Sequence, residues 1–154
     1  MFFGREPAVL SGTPLRAAPS HLVVLSLALP QLLKYRVLPK QLAVCQLAAG
    51  APTPSWAEDS EFSCVTRATG ELSIVCEEDR VPEGVRVELG WVALKIEGPF
   101  PFSMTGVLAS FLQPLSDAKI PIFAISTFDT DYVLVKREDL ERAKKTLAAT
   151  GHHE

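Results

Sequence analysis

Basic clusters are missing from this 154-residue chain. Lys and Arg total 15 against 18 acidic residues, lie scattered, and leave a net charge of -3. Nucleic-acid binding draws on a basic face or stripe, so nucleic-acid partners are excluded. Histidine is scarce: His21, His152 and His153 all lie near the chain ends. The three cysteines, Cys45, Cys64 and Cys76, show no CxxC spacing. No metal site is expected from so dispersed a set, and each thiol sits in an apolar, strand-like run that suits burial in a reducing cytoplasm. The apolar run HLVVLSLALPQLL (21–33) is too short to span a bilayer and is broken by Pro30, so no membrane partner is expected. Arg5 and Arg16 precede it as in a secretory signal, but no small-x-small cleavage pattern follows in KYRVLPKQ. Hydroxyl side chains such as Ser126 and Thr127 have no histidine nearby in sequence to activate them, so no catalytic residue and no cofactor is assigned.

What is present is apolar patterning enough for one ordinary domain or two small ones sharing a core, with 47% hydrophobic side chains. Residues 1–31 carry Gly, Pro and Ser without a sustained period and read as a flexible N-terminal extension. QLAVCQLA (41–48) reads as a strand stopped by GAPTP, and Ser55 is placed to cap a single helical turn holding Trp56. EFSCVTR and ELSIVCEE flank ATG as a hairpin, with Phe62, Cys64 and Thr66 alternating in one strand and Leu72, Ile74 and Cys76 in the other, sharing one buried face. A charged, proline-marked connection leads to WVALKIEG (91–98), a core strand.

The main helix is expected to start near Thr105. Val107, Leu108, Phe111, Leu112 and Leu115 fall at helical spacing, and Pro114 inside the stripe is expected to kink the helix without ending it. IPIFAISTF reads as a buried strand, Asp129–Thr130 as a turn and YVLVK as the antiparallel return. A last helix over 138–149 presents Leu140, Ala143 and Leu147 inward, with Glu138–Arg142 and Glu141–Lys145 as outward pairs, and HHE trails into solvent. From Trp91 the order strand, helix, strand, strand, helix begins a βαββαβ ferredoxin-like unit with two helices on one face of an antiparallel sheet. The preceding stretch reads as a worn copy whose helices have shrunk. The last strand of the second unit comes either from around Val85–Leu89 or from Leu33–Val37, and pattern alone does not decide between them.

LAVCQL, ELSIVCEEDRVPEGV, GWVALKIEGPFPFSMTGVLASFLQPL and IFAISTFDTDYVLVKREDLERA resemble the ACT-domain proteins of the cytosolic arginine sensor family, especially its small two-domain relatives. The resemblance runs from about Leu32 to Gly151. It implies an α+β fold of tandem ferredoxin-like ACT domains: a first, degenerate one over 32–87, a second over 88–151, and a tail at 152–154. It also implies a non-catalytic regulatory protein that binds a small amino-acid-like ligand, usually where two ACT units meet. An unpaired ferredoxin-like sheet edge favours a homodimer.

By the same resemblance, the ligand-binding positions are the strand-to-helix turn Phe102, Ser103, Met104, Thr105 and Gly106, together with Asp131. The chemistry fits a zwitterion. Unpaired N–H groups at a helix start attract a carboxylate, Gly106 allows close approach, and Asp131 with Asp129 can receive an ammonium or guanidinium group. Ile125, Phe102 and Phe128 are placed to wall off water. Each feature has a plainer reading: Ser103 or Thr105 as a helix cap, and Asp129 and Asp131 as turn residues. Two other functions stay open, an assembly module without a ligand and a small enzyme on a ferredoxin-like frame.

Overall fold

The computed structural model describes residues 32–58 and 60–154; the expected extension over 1–31 lies outside them. Six strands and two α-helices follow in order: β1 (Tyr35–Leu47), β2 (Cys64–Arg67), β3 (Leu72–Glu77), β4 (Arg86–Ile96), α1 (Val107–Asp117), β5 (Ile122–Ser126), β6 (Asp131–Lys136) and α2 (Leu140–Ala149). The strands form one antiparallel sheet in the order β2-β3-β1-β4-β6-β5. Single 3-10 turns at Ser55–Ala57 and Glu78–Arg80 stand in the first half where the second half has helices. Pro54, not Ser55, precedes the first of these turns, and no side chain caps it.

Each of the two long strands belongs to two four-strand sets. Early in β1, Tyr35, Arg36 and Val37 pair with Ile96, Lys95 and Leu94 at the end of β4. Later in β1, Leu42–Leu47 lies between β3 and the start of β4, with Val44, Cys45 and Gln46 opposite Glu88, Val87 and Arg86. Register shifts between Val37 and Gln41 and between Leu42 and Val44 divide the two parts, and Pro39 falls where no ladder bond is required of it. The second set is β5, β6, late β4 and early β1, so Leu33–Val37 supplies its fourth strand. The first set is β2, β3, late β1 and early β4, completed by the region of Val85–Leu89. Both candidate segments are used, one in each set.

Both helices lie on one face. Phe111 and Leu115 from α1, with Ala143 and Leu147 from α2, pack on Tyr35, Leu94, Ile96, Val133 and Val135, and all of these are buried. Burying one such large side chain contributes roughly 1.5–3 kcal/mol. Where helices are lacking, Ala57 and the half-buried Trp56 and Val81 cover Ala43, Cys45, Leu72, Ile74 and Cys76. The opposite face is filled by Leu42, Val75, Trp91, Ala93, Ile125 and Leu134, and the sheet curls enough for Phe62 to meet Tyr132, ring centroids 4.6 Å apart.

Several expectations change. Cys64 pairs with Val75, so Phe62 and Cys64 face away from Leu72, Ile74 and Cys76, and β3 is buried on both faces. β5 is an edge strand with only Ile125 buried. The 3-10 turn Arg137–Asp139 precedes α2, and Arg142 pairs with Asp139 at 2.7 Å; neither Glu138–Arg142 nor Glu141–Lys145 forms an ion pair among the described residues. Residues 152–154 do not trail away. Tyr35 N–H donates to the His153 carbonyl and His153 N–H to the Leu33 carbonyl. His152 is 3% exposed: its Nδ1 accepts from Leu33 N–H at 3.2 Å and its Nε2 donates to the Ser110 carbonyl at 3.2 Å. The ring packs on Phe111, and Glu154 pairs with Lys144 at 2.6 Å.

Candidate functional site

Two connections at one end of the second strand set approach each other: 97–106, leading from β4 into α1, and 127–130, between β5 and β6. The shorter one is a tight turn in which Thr127 N–H donates to the Thr130 carbonyl at 2.8 Å. Thr130 is buried, and its hydroxyl donates to the Ile96 carbonyl, fixing the turn to the end of β4. Phe100 N–H donates to the Asp129 carbonyl at 3.0 Å. At Gly98 a Cβ would stand 2.5 Å from that carbonyl oxygen, so the closeness of the two connections requires glycine.

The longer connection ends at Gly106, whose φ of 83° is left-handed backbone that glycine adopts without penalty. Helix α1 therefore begins at Val107, two residues later than the pattern suggests. Neither Ser103 nor Thr105 caps it: the N-cap is Gly106 and no side-chain cap bond is made. The first-turn N–H groups have no acceptor within the helix, and they carry its partial positive charge.

Between the connections lies a cleft of about 310 Å³. Of the positions singled out in the sequence, Phe102, Met104, Gly106, Phe128, Asp129 and Asp131 line it. Ser103 and Thr105 are exposed and are not part of its lining. Ile125 does not wall it either; it is packed with Trp91 and Leu134 on the opposite face. Phe102 and Phe128 are 80% and 79% exposed and meet edge to face at 5.1 Å, so they form a rim and do not exclude water. Phe100, Leu108 and Ser126 also line the cleft. Ser126 could have been found from its position, since it pairs directly with Asp131 across β5 and β6.

The Ser126 hydroxyl donates to the Asp131 carboxylate. No ion pair reaches Asp129 or Asp131 among the described residues. The cleft thus joins an uncapped helix start to two carboxylates lacking a cation. No group of three or more metal-ligating side chains is found among the described residues, and none of their helices is long and apolar enough to cross a membrane.

Residues 86–149 match a family described as ACT domain, and residues 40–84 match a second family described as an N-terminal domain. The chain is 28% identical over 102 residues to the human putative protein CASTOR3P, a match spanning 63% of that protein's length. It is 42% identical to protein Atu0741 from Agobacterium tumefaciens, whose crystal structure superposes with a TM-score of 0.75 over 80% of this chain and 94% of that one. The aspartate kinase of Clostridium acetobutylicum, described as an allosteric enzyme, shares the fold at 14% identity and a TM-score of 0.60, over 77% of this chain and 34% of the kinase. With these matches and a sheet built from two ferredoxin-like strand sets, the chain is an ACT-domain protein.

Proposed function

We propose that this protein is a non-catalytic regulatory protein or sensor that binds a small amino-acid-like ligand in the cleft between 97–106 and 127–130. The observation carrying this reading is the pairing of opposite charge tendencies across about 310 Å³: the uncapped start of α1 on one side, Asp129 and Asp131 on the other. A ligand carboxylate gains charge-assisted hydrogen bonds at the helix start, while its cationic group meets the carboxylates. Two charges held at two fixed points set orientation as well as affinity. Binding would act by changing how this unit packs against a second copy or another protein. Three free thiols fit a cytoplasmic setting.

Thermal denaturation with each proteinogenic amino acid tests the reading. A true ligand at one hundred times its dissociation constant adds about 2.7 kcal/mol, and Asp131→Asn removes most of that gain. Absence of stabilisation by every amino acid would remove the basis for a sensor.

A second reading, assembly without a ligand, is favoured by β5 standing at the sheet edge with its first residue, Ile122, 36% exposed. Light scattering separates the two: assembly that is unaffected by Asp131→Asn or by any amino acid supports the module alone.

A further inference from the structure

On the face of the sheet that carries no helix, Arg36 of β1 stands directly opposite Lys95 of β4, and Lys95 stands opposite Tyr132 of β6. Like charges facing each other across a ladder cost stability. No carboxylate relieves the pair, since no ion pair reaches Arg36 or Lys95 among the described residues. Lys95 rests over the Tyr132 ring, its Nζ 5.5 Å from the ring centroid.

Two hollows meet at this row. The broader, of about 420 Å³, is bordered by Arg36 and Lys95 together with Glu97. The smaller, of about 90 Å³, is bordered by Arg36, Leu38, Leu42, Phe62 and Tyr132, where the curl of the sheet brings the two rings together. That space has room for more than one water-sized group. Its buried carboxylate is already engaged: Glu77 accepts from Glu61 N–H at 3.1 Å and from Arg80 Nε at 3.3 Å, with Lys40 Nζ at 3.7 Å. A ligand ammonium therefore finds no open buried acceptor there. Glu97 is held by Lys34 at 3.4 Å. Glu61 and Asp129 also border the hollows, but both are exposed and lie beyond ion-pair distance of the two cations. Two uncompensated cations thus stand beside an aromatic and aliphatic hollow.

We propose that this row is a second binding site, separate from the cleft, for a small organic acid without an amino group. Its carboxylate is held between Arg36 and Lys95, and its apolar body is seated against Phe62, Tyr132 and Leu38. The planar guanidinium takes a carboxylate through two parallel hydrogen bonds, and the lysine adds a second positive charge. The bound anion cancels the repulsion across the β1–β4 ladder. Removal of the apolar body from water supplies the preference for an acid larger than acetate.

The test is a titration of the full chain with sodium isovalerate, followed by amide NMR shifts, beside sodium acetate, sodium sulfate and leucine at matched ionic strength. Isovalerate should give saturable shifts at Arg36, Phe62, Lys95 and Tyr132, with acetate binding there about tenfold more weakly. Arg36→Gln and, independently, Lys95→Gln abolish these shifts, so a folding failure in one variant leaves the other to decide. In low salt without added acid, Arg36→Gln should also melt at a higher temperature than the unmodified protein, because the facing like charges are gone. Asp131→Asn leaves the isovalerate shifts in place, which separates failure of this site from failure of the cleft reading. Three results overturn the proposal: acetate or sulfate shifts as strong as those of isovalerate, leucine shifts equal to them at the same four residues, or isovalerate shifts that persist in the folded Arg36→Gln and Lys95→Gln variants.

Discussion

Among the described residues, Glu77 is the one acidic side chain drawn into the interior, with its side chain 6% exposed at the end of β3. Burial alone would raise its carboxyl, but the Glu61 N–H, the Arg80 guanidinium and the Lys40 ammonium outweigh that effect and hold it below the usual carboxylate range. A carboxyl depressed by folding contributes stability that is present above its unfolded value and is lost as pH falls through its folded value. Part of the acid sensitivity of this fold is therefore expected to come from Glu77. The Glu77→Gln variant, followed by thermal denaturation from neutral to acidic pH, should lose stability less steeply than the unmodified protein; identical slopes would remove Glu77 from the account. Residue positions in the cleft were readable where a backbone rule singled them out, as at Gly106 and the Asp-Thr-Asp turn. The direction of Ile125 was not, because side chains alternate along a strand and one step of register decides which face each one joins. The burial of His152 was hidden for another reason: its two partners, Leu33 and Ser110, lie far from it in sequence.

At the scale of elements, the two connections around the cleft act as one piece, joined by the Phe100–Asp129 bond and by the lack of a side chain at Gly98. Gly98→Ala would force the Asp129 carbonyl away and break that bond, at a cost of about 1–3 kcal/mol. It should abolish stabilisation by ligand while the far-UV circular dichroism stays unchanged; a variant that still responds to ligand would show that the connections are positioned independently. Helix α1 was legible from its apolar stripe, and its run through Pro114 agrees with that stripe. Its first residue was not, because Ser103 and Thr105 resemble caps in sequence while the left-handed Gly106 sets the start. The edge position of β5 was likewise invisible, since IPIFAI has the composition of an interior strand and only the pairing order places it outside.

At the scale of the whole molecule, the sharing of β1 and β4 means that neither strand set is complete without the other. Unfolding should therefore be a single transition. With Trp56 packed in the first half and Trp91 buried in β4, Trp56→Phe and Trp91→Phe leave one fluorescent reporter each. In urea, fluorescence and circular dichroism midpoints should coincide within each variant; separated midpoints would mean that the halves melt on their own. The pairing of His153 with Lys34 has a topological consequence. Traced from β4 and across that bridge, the order in space is strand, helix, strand, strand, helix and then early β1, the strand that a ferredoxin-like unit needs last. A permuted gene in which early β1 follows His153 would write the second unit as one uninterrupted sentence.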